Sequence, residues 1–469
     1  MIKMIALESS KKEFLLITLF LVVNVFLYIF SVENATFVEG ADASQYYGPA
    51  VSLLQHGEFR AGVDGDFLTF GTPLYSILLA IPIAIFGIDQ SSFSIVFIQC
   101  LFLYTTGIIT RKFSVVFLKK ESFLLHSFII FNPNSLVTAH LVQSETLFTL
   151  LLVLSIYFLF KLVNRNSFKY VFLLGLVLGL LTLTRPAGLY LIYIFPIIFL
   201  ISFYVNDRME FWRHFRQNII KAIVVLLVSA FVVSPWYVRN YSLFGEMFLS
   251  SNSGAYLKDQ YIQLLKISNN FSEEEAIDRI DNEIHNHYKK NQVNKLCFKN
   301  QRHWSCNKYL SKAMINGIIH EPSSHHARAL LESWSYLYFS GGASNYRNYL
   351  GMSGKEKIVS FQKERYSGLD GIINFVRSID LPYLTILLLT TGFSFVTRIA
   401  GMVGFIFLLK NREVWPYMVA IVGVIILFTA MYLYLGQSRF RVPLEPFLMI
   451  FAVIGVYNFP IKIMNKFKK

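Results

Sequence analysis

The chain of 469 residues is 54% hydrophobic and only 15% charged, with a mean hydropathy of +0.49. That excludes a soluble globular protein and describes an integral membrane one. The net charge of +14 does not point to nucleic acid, because much of the basic excess lies in short loops between apolar runs, the positive-inside pattern of topology.

The first apolar run, "FLLITLFLVVNVFLYIF" at 14–30, follows Lys11 and Lys12. It is too long for a signal-peptide core and no small-residue cleavage site follows, so it reads as a retained anchor with its N-terminus in the cytoplasm. Next comes "DASQYYGPAVSLLQHGEF" at 42–59: an aspartate, two tyrosines, then small and apolar residues at helical spacing before a glycine stop. Asp42 and Gln45 stand at capping-box spacing. Gly48-Pro49 moves the expected helix start toward Pro49, because a residue before proline resists the α region. A carboxylate in a partly desolvated turn at the membrane edge can also serve as a general base. The residues alone leave cap and base both open.

"TPLYSILLAIPIAIFG" at 72–87 could be counted as a span. Its sixteen residues reach about 24 Å, and Pro82 is expected to break its interior. It reads instead as an interfacial or re-entrant helix, so residues 33–90 form one external loop with two short helices.

Candidate spans then run at 14–32, 91–110, 122–142, 145–163, 170–185, 187–204, 219–235, 384–409, 414–435 and 443–460. Basic clusters at 111–120, 161–169, 208–221 and 410–412, with the terminal "KIMNKFKK", fall on one face if the N-terminus is inside. Residues 236–380 lie on the other face, and "SEEEAIDRIDNEIHNHYKKN" marks them as a folded aqueous domain. The division is therefore a membrane module at 1–235, an external soluble domain at 236–380 and C-terminal membrane helices at 381–469. Cys297 and Cys306 fall in the external part, where an oxidising compartment permits a disulfide. His303, His320, His325 and His326 lack zinc spacing, so no metal site is expected from them.

Several ionisable residues gather on the predicted outer face. Glu145 opens a span there; the helix dipole favours an acid at that position, and an acid at the edge of a bundle is also a candidate for function. Arg185, Arg239, Arg439 and Arg441 share that face, with Arg60 and Lys258 as weaker candidates. They are snorkelling anchors or cations for an anionic ligand.

The stretches at 42–59 and 72–87 resemble the first external loop of the GT-C superfamily of glycosyltransferases. These enzymes use polyprenyl-phosphate sugars; protein O-mannosyltransferases and lipid A aminoarabinose transferases are among them. The likeness continues through "NPNSLVTAHLVQSETLFTLLLVL", "LTRPAGLYL", "SPWYVRNYSLFGEMFLSSNSGAYL" and "GQSRFRVPLEP", but not across 260–370. It departs at Gly48-Pro49 and in the mid-chain position of the polar domain.

The resemblance implies an all-α GT-C-like helical bundle in the inner or plasma membrane, with its active site on the outer face. It implies an inverting transfer from a polyprenyl-phosphate sugar to a glycan, lipid or protein acceptor. Asp42 matches the family's base and Glu145 a second active-site acid; Arg439, Arg441, Arg185, Arg239, Tyr46 and Tyr47 become candidates for the donor and its phosphate. No cofactor is required by this reading, and a divalent cation is left open. The alternatives are a transporter or flippase of lipid-linked sugar, which should show paired internal repeats and interrupted helices, and a polymerase or ligase of lipid-linked glycans. Arg398, inside a long apolar segment, is the feature that best suits a transporter, and interior packing is its other explanation.

Overall fold

The computed structural model describes residues 2–33, 35–37, 43–62, 65–301, 303–352 and 368–466. The chain opens with α1 (Ile2–Ile29), α2 (Ala43–His56), α3 (Pro73–Phe86) and α4 (Ser91–Phe113). Tyr28 Oη lies 2.8 Å from Ser92 Oγ, so α1 ends where α4 begins. The segment between them makes no net crossing. Its two helices have 14 residues each, about 21 Å, too short to span.

Two details differ from expectation. Helix α2 starts at Ala43 rather than near Pro49, because Gly48 has no Cβ to clash with the proline ring. A Cβ on Gly48 would also lie 2.8 Å from the Ala61 carbonyl. Helix α3 runs through Pro82 without breaking, since buried Leu79, Pro82 and Ile83 pack against the bundle and outweigh one lost hydrogen bond.

After α5 (Val115–Leu118), the expected span 122–142 is instead two short helices, α6 (Phe123–Ile130) and α7 (Pro133–Thr138). Asn132 and Pro133 cause the break: proline opens α7, and the Asn132 side chain accepts from Ser135 N at 3.2 Å. The pair still crosses. Ser122 meets Tyr457 Oη at 3.0 Å near the C-terminal end of the last helix, while His140 Nε2 reaches Asn24 Oδ1 at 2.8 Å in the second half of α1. Irregular backbone at membrane depth must be satisfied by protein. Gln99 does this, donating to the Ala139 and Leu141 carbonyls at 3.1 and 2.9 Å.

The bundle continues with α8 (Glu145–Arg165), α9 (Phe168–Thr184), α10 (Gly188–Asn206), α11 (Arg208–Arg213) and α12 (Phe215–Phe244). Gly175 and Gly179 let α9 and α12 touch, since a Cβ on either would come within 2.8 Å of Val228 or Val232. Helix α12 continues nine residues past the expected end at 235, through Pro235, and so carries Arg239 on its last turns.

Next come α13 (Ser253–Ser268), α14 (Glu273–Lys290), α15 (Lys295–Lys299), α16 (Asn307–His320), α17 (Ser323–Phe339), α18 (Ala343–Tyr349) and α19 (Gly368–Ser378). The first of these share their own apolar core, including Tyr261, Leu264, Ile280, Ile284, Leu310 and Met314. In α14 the Ser272–Glu275 capping box starts the helix, and Ala276, Ile280, Ile284 and Tyr288 give it one buried stripe. The corner after α17 does not stand apart from the membrane helices. Tyr346 Oη bonds the Pro133 carbonyl at 2.9 Å, and a Cβ on Gly341 would fall 2.2 Å from the backbone of Thr390.

Cys297 and Cys306 are bonded, with Cα atoms 5.5 Å apart. A closed loop this short is worth about 2–3 kcal/mol. The Cys297→Ala/Cys306→Ala variant should therefore unfold this cluster at lower temperature. Free thiols trapped by alkylation in native protein would rule the bond out in the cell.

Helices α20 (Leu381–Leu409), α21 (Trp415–Met431) and α22 (Glu445–Lys466) complete the chain. Among the described residues, eight segments from Lys11–Ile29 to Ser438–Asn458 are long and apolar enough to cross a membrane. The expected all-α polytopic membrane fold is thus borne out. One end of the bundle gathers the basic loops: Arg111 pairs with Glu13 at 2.7 Å, Lys119 with Glu413 at 3.0 Å, and Lys221 with Asn166. The opposite end holds the junctions 29–91, 184–188 and 431–438. If the basic end is cytoplasmic, cysteines at exposed Lys120 and Lys289 should label from opposite sides of a sealed membrane. Labelling from the same side would overturn the topology.

Candidate active site

The site is built where four chain segments meet at the end opposite the basic loops. Helix α2 contributes Tyr46, whose Oη is 2.9 Å from Ser144 Oγ. The Tyr46 ring stands edge-on to Tyr75, centroids 4.9 Å apart, and Tyr75 donates to Gln99 Oε1 at 2.7 Å. Gln99 is the side chain that also holds the 139–141 backbone. The first turns of α2 are thus tied to the entry of α8.

Glu145 is the first residue of α8, with 1% of its side chain exposed. Arg185 Nη1 lies 2.6 Å from its Oε1. The reason is local: Pro186 disfavours a helical residue before it, so α9 stops at Thr184 and Arg185 is extended, at φ −149° and ψ 139°. Arg439 Nε approaches the same Glu145 oxygen at 3.4 Å. It sits on a 3₁₀ segment, Ser438–Leu444, fixed by Asn134 donating to the Ser438 carbonyl at 2.7 Å and by Phe440 stacked on Tyr432 at 4.3 Å. Two guanidiniums, 14% and 16% exposed, therefore share one buried carboxylate.

The other candidates lie elsewhere. Tyr47 donates to the Ile88 carbonyl at 3.4 Å. Burial and the Asp89 carboxylate raise its pKa above the usual phenol range. Arg239 is a brace: it donates to the Leu68 and Phe59 carbonyls at 2.6 and 2.9 Å and lies over the Trp236 ring. It holds Phe59 and Leu68 against α12. Arg441 was expected to bind phosphate with Arg439, but it turns the other way. It is fully buried and donates to Glu445, Ser394, and the Leu337 and Ser340 carbonyls. Arg60 pairs with Glu58, and Lys258 with Asp281. Asp42 lies outside the described residues; Ala43, which follows it, is buried at the start of α2.

Sequence reasoning noticed Arg398 but not its partner Glu445, whose two carboxylate oxygens both lie 2.7 Å from Arg398 Nη2. The available signal was Arg441-x-x-x-Glu445, a spacing that puts the two side chains on one helical face. It also missed Gln99 and Asn134, whose side-chain amides donate to backbone carbonyls. Among the described residues, no group of three or more His, Cys, Asp or Glu is placed to hold a metal ion.

Residues 71–238 match the model of the dolichyl-phosphate-mannose-protein mannosyltransferase family. The match takes in 72–87, 132–154 and "LTRPAGLYL", so the resemblance read from those motifs is borne out. Among solved structures, the chain is similar to the archaeal oligosaccharyltransferase AglB from Archaeoglobus fulgidus, in complex with an inhibitory peptide and a dolichol-phosphate. That likeness has 18% identity and a TM-score of 0.49, over 95% of this chain and 50% of that one. It is also similar to ArnT from Cupriavidus metallidurans bound to undecaprenyl phosphate, at 13% identity and a TM-score of 0.34, over 92% of this chain and 77% of that one. The chain thus spans about half the length of the oligosaccharyltransferase. No curated protein matches.

Proposed function

We propose that this protein is a membrane glycosyltransferase that moves a sugar from a polyprenyl-phosphate donor to an acceptor at the extracytoplasmic face. The observation that carries the proposal is the convergence of Arg185 and Arg439 on Glu145 at the bundle end opposite the basic loops. Guanidiniums held at a membrane edge suit a lipid phosphate, because they match its oxygens and take up charge as it leaves. The family match over 71–238 supports the same class of donor.

In the reaction, the acceptor hydroxyl oxygen attacks the anomeric carbon. Asp42 takes the hydroxyl proton, the bond from carbon to phosphate oxygen breaks, and polyprenyl phosphate departs with the electron pair. One displacement inverts the anomeric centre. Glu145 keeps Arg185 and Arg439 in place to meet the charge that develops on the phosphate. Tyr46, bonded to Ser144, holds the helix that follows Asp42 against this cluster.

The test is purified protein in lipid nanodiscs, and in parallel in sealed vesicles, with a panel of radiolabelled polyprenyl-phosphate sugars. Protein-dependent release of polyprenyl phosphate, lost in Arg439→Gln, is the expected result. No release from any donor, with labelled lipid instead equilibrating across sealed vesicles, would replace the transferase with a flippase. Products longer than one added unit would identify a polymerase.

A further inference from the structure

Below the proposed site, three charges lie buried at the α20–α22 interface. Arg398, Glu445 and Arg441 are 5%, 1% and 0% exposed. Arg398 Nη2 lies 2.7 Å from both Glu445 oxygens, and Arg441 Nε lies 2.5 Å from one of them. Two cations against one anion inside a membrane bundle would be costly without further acceptors.

Ser394 and Thr397 on α20 supply two of them, and the backbone acceptors come from the other part of the chain. The last carbonyls of a helix have no partner within it. At the end of α17, Leu337 and Ser340 accept from Arg441, the latter at 2.8 Å, and Tyr338 accepts from Arg398 Nε at 3.2 Å. The negative end of the α17 dipole offsets the second cation. Through its two arginines, a single carboxylate therefore ties together α20, the start of α22 and a helix that begins in the 253–339 cluster.

We infer that Glu445 is a positioning residue: by holding Arg441 on the end of α17, it fixes the segment that aims Arg439 at the donor site. Arg439 and Arg441 are two residues apart on the same 3₁₀ turn and face opposite ways, one to Glu145 and one into this cluster. The turn is anchored at its start by Asn134 on the Ser438 carbonyl and at its end by Arg441. Releasing that end frees Arg439 from the Glu145 site. The same clamp links the position of the 253–339 cluster to that of the donor-site arginine.

The donor part of this inference rests on the proposed function, so the test has two readouts. The first is hydrogen exchange in detergent-solubilised full-length protein. Glu445→Gln, which keeps the shape and removes the charge, should raise exchange at 335–341 and 437–444 together, by tenfold or more. The second is binding of farnesyl phosphate as a short lipid-phosphate probe. Glu445→Gln should weaken it at least tenfold, and adding Arg439→Gln should weaken it little further. Arg398→Gln leaves a neutral Glu445–Arg441 pair and should preserve most of the binding.

If Glu445→Gln does not fold, Glu445→Asp and Arg441→Lys, which keep the charges but shorten the reach, decide by the same readouts. Folded variants with unchanged exchange at 437–444, or losses that multiply independently with Arg439→Gln, would overturn the inference. Coupled exchange in a protein that binds no farnesyl phosphate would leave the clamp standing and remove the donor reading instead.

Discussion

Replacing Asp42 by asparagine is expected to lower sugar transfer by about 10²-fold or more while the donor still binds. Asparagine and aspartate are near-equivalent helix caps, so a residue that only starts α2 would tolerate the exchange at small cost. A general base would not, because an amide cannot accept the acceptor's proton at neutral pH. The helix opens at Ala43, which keeps capping a live alternative for the residue before it. Turnover and donor affinity of folded Asp42→Asn therefore have to be measured side by side. Loss of turnover with intact donor affinity assigns the proton to Asp42. Near-normal turnover makes it a cap and leaves the transfer without its base.

Much of the fold was legible because the sequence signals were long. Apolar runs near 20 residues can only cross a bilayer or be buried in it, and the basic loops fixed which ends belong together. The misread elements were those where side chains repair the backbone. The broken crossing at Asn132–Pro133 persists because Gln99, 33 residues earlier in the sequence than Asn132, satisfies the carbonyls near its far end. No local pattern carries that information. The continuation of α3 through buried Pro82 shows packing outweighing a helix-breaking residue, and α12 likewise continues through Pro235.

The site was legible to a similar depth. Glu145, Arg185 and Arg439 were named from their place on one face and converge, and Tyr46, named from the family resemblance, meets Ser144 beside them. Arg239 and Arg441 satisfied the same criterion and do not join them. A topological face says which end of the bundle a cation occupies, not which way its side chain turns. For Arg441 the turn is set by Glu445 one helical turn on, and for Arg239 by the carbonyls of a loop far back in the chain.

The two arginines at Glu145 should fail in different ways. Arg439→Gln removes the more distant cation, at 3.4 Å, and leaves the Arg185 pair at 2.6 Å intact. Thermal stability should change little. Donor KM should rise about 10- to 150-fold, the loss of a charged hydrogen bond worth about 1.5–3 kcal/mol. Arg185→Gln instead takes the close partner from a carboxylate that is 1% exposed. Stranding a buried charge in this way costs about 3–5 kcal/mol, so the melting temperature should fall along with activity. Adding Glu145→Gln removes the stranded charge and should recover much of that stability without recovering donor affinity. Thermal melts and donor kinetics on Arg439→Gln, Arg185→Gln and the Glu145→Gln/Arg185→Gln pair check the whole set. A paired variant that regains normal donor KM along with stability would show that Arg185 serves only to neutralise Glu145, and phosphate recognition would then rest on Arg439 alone.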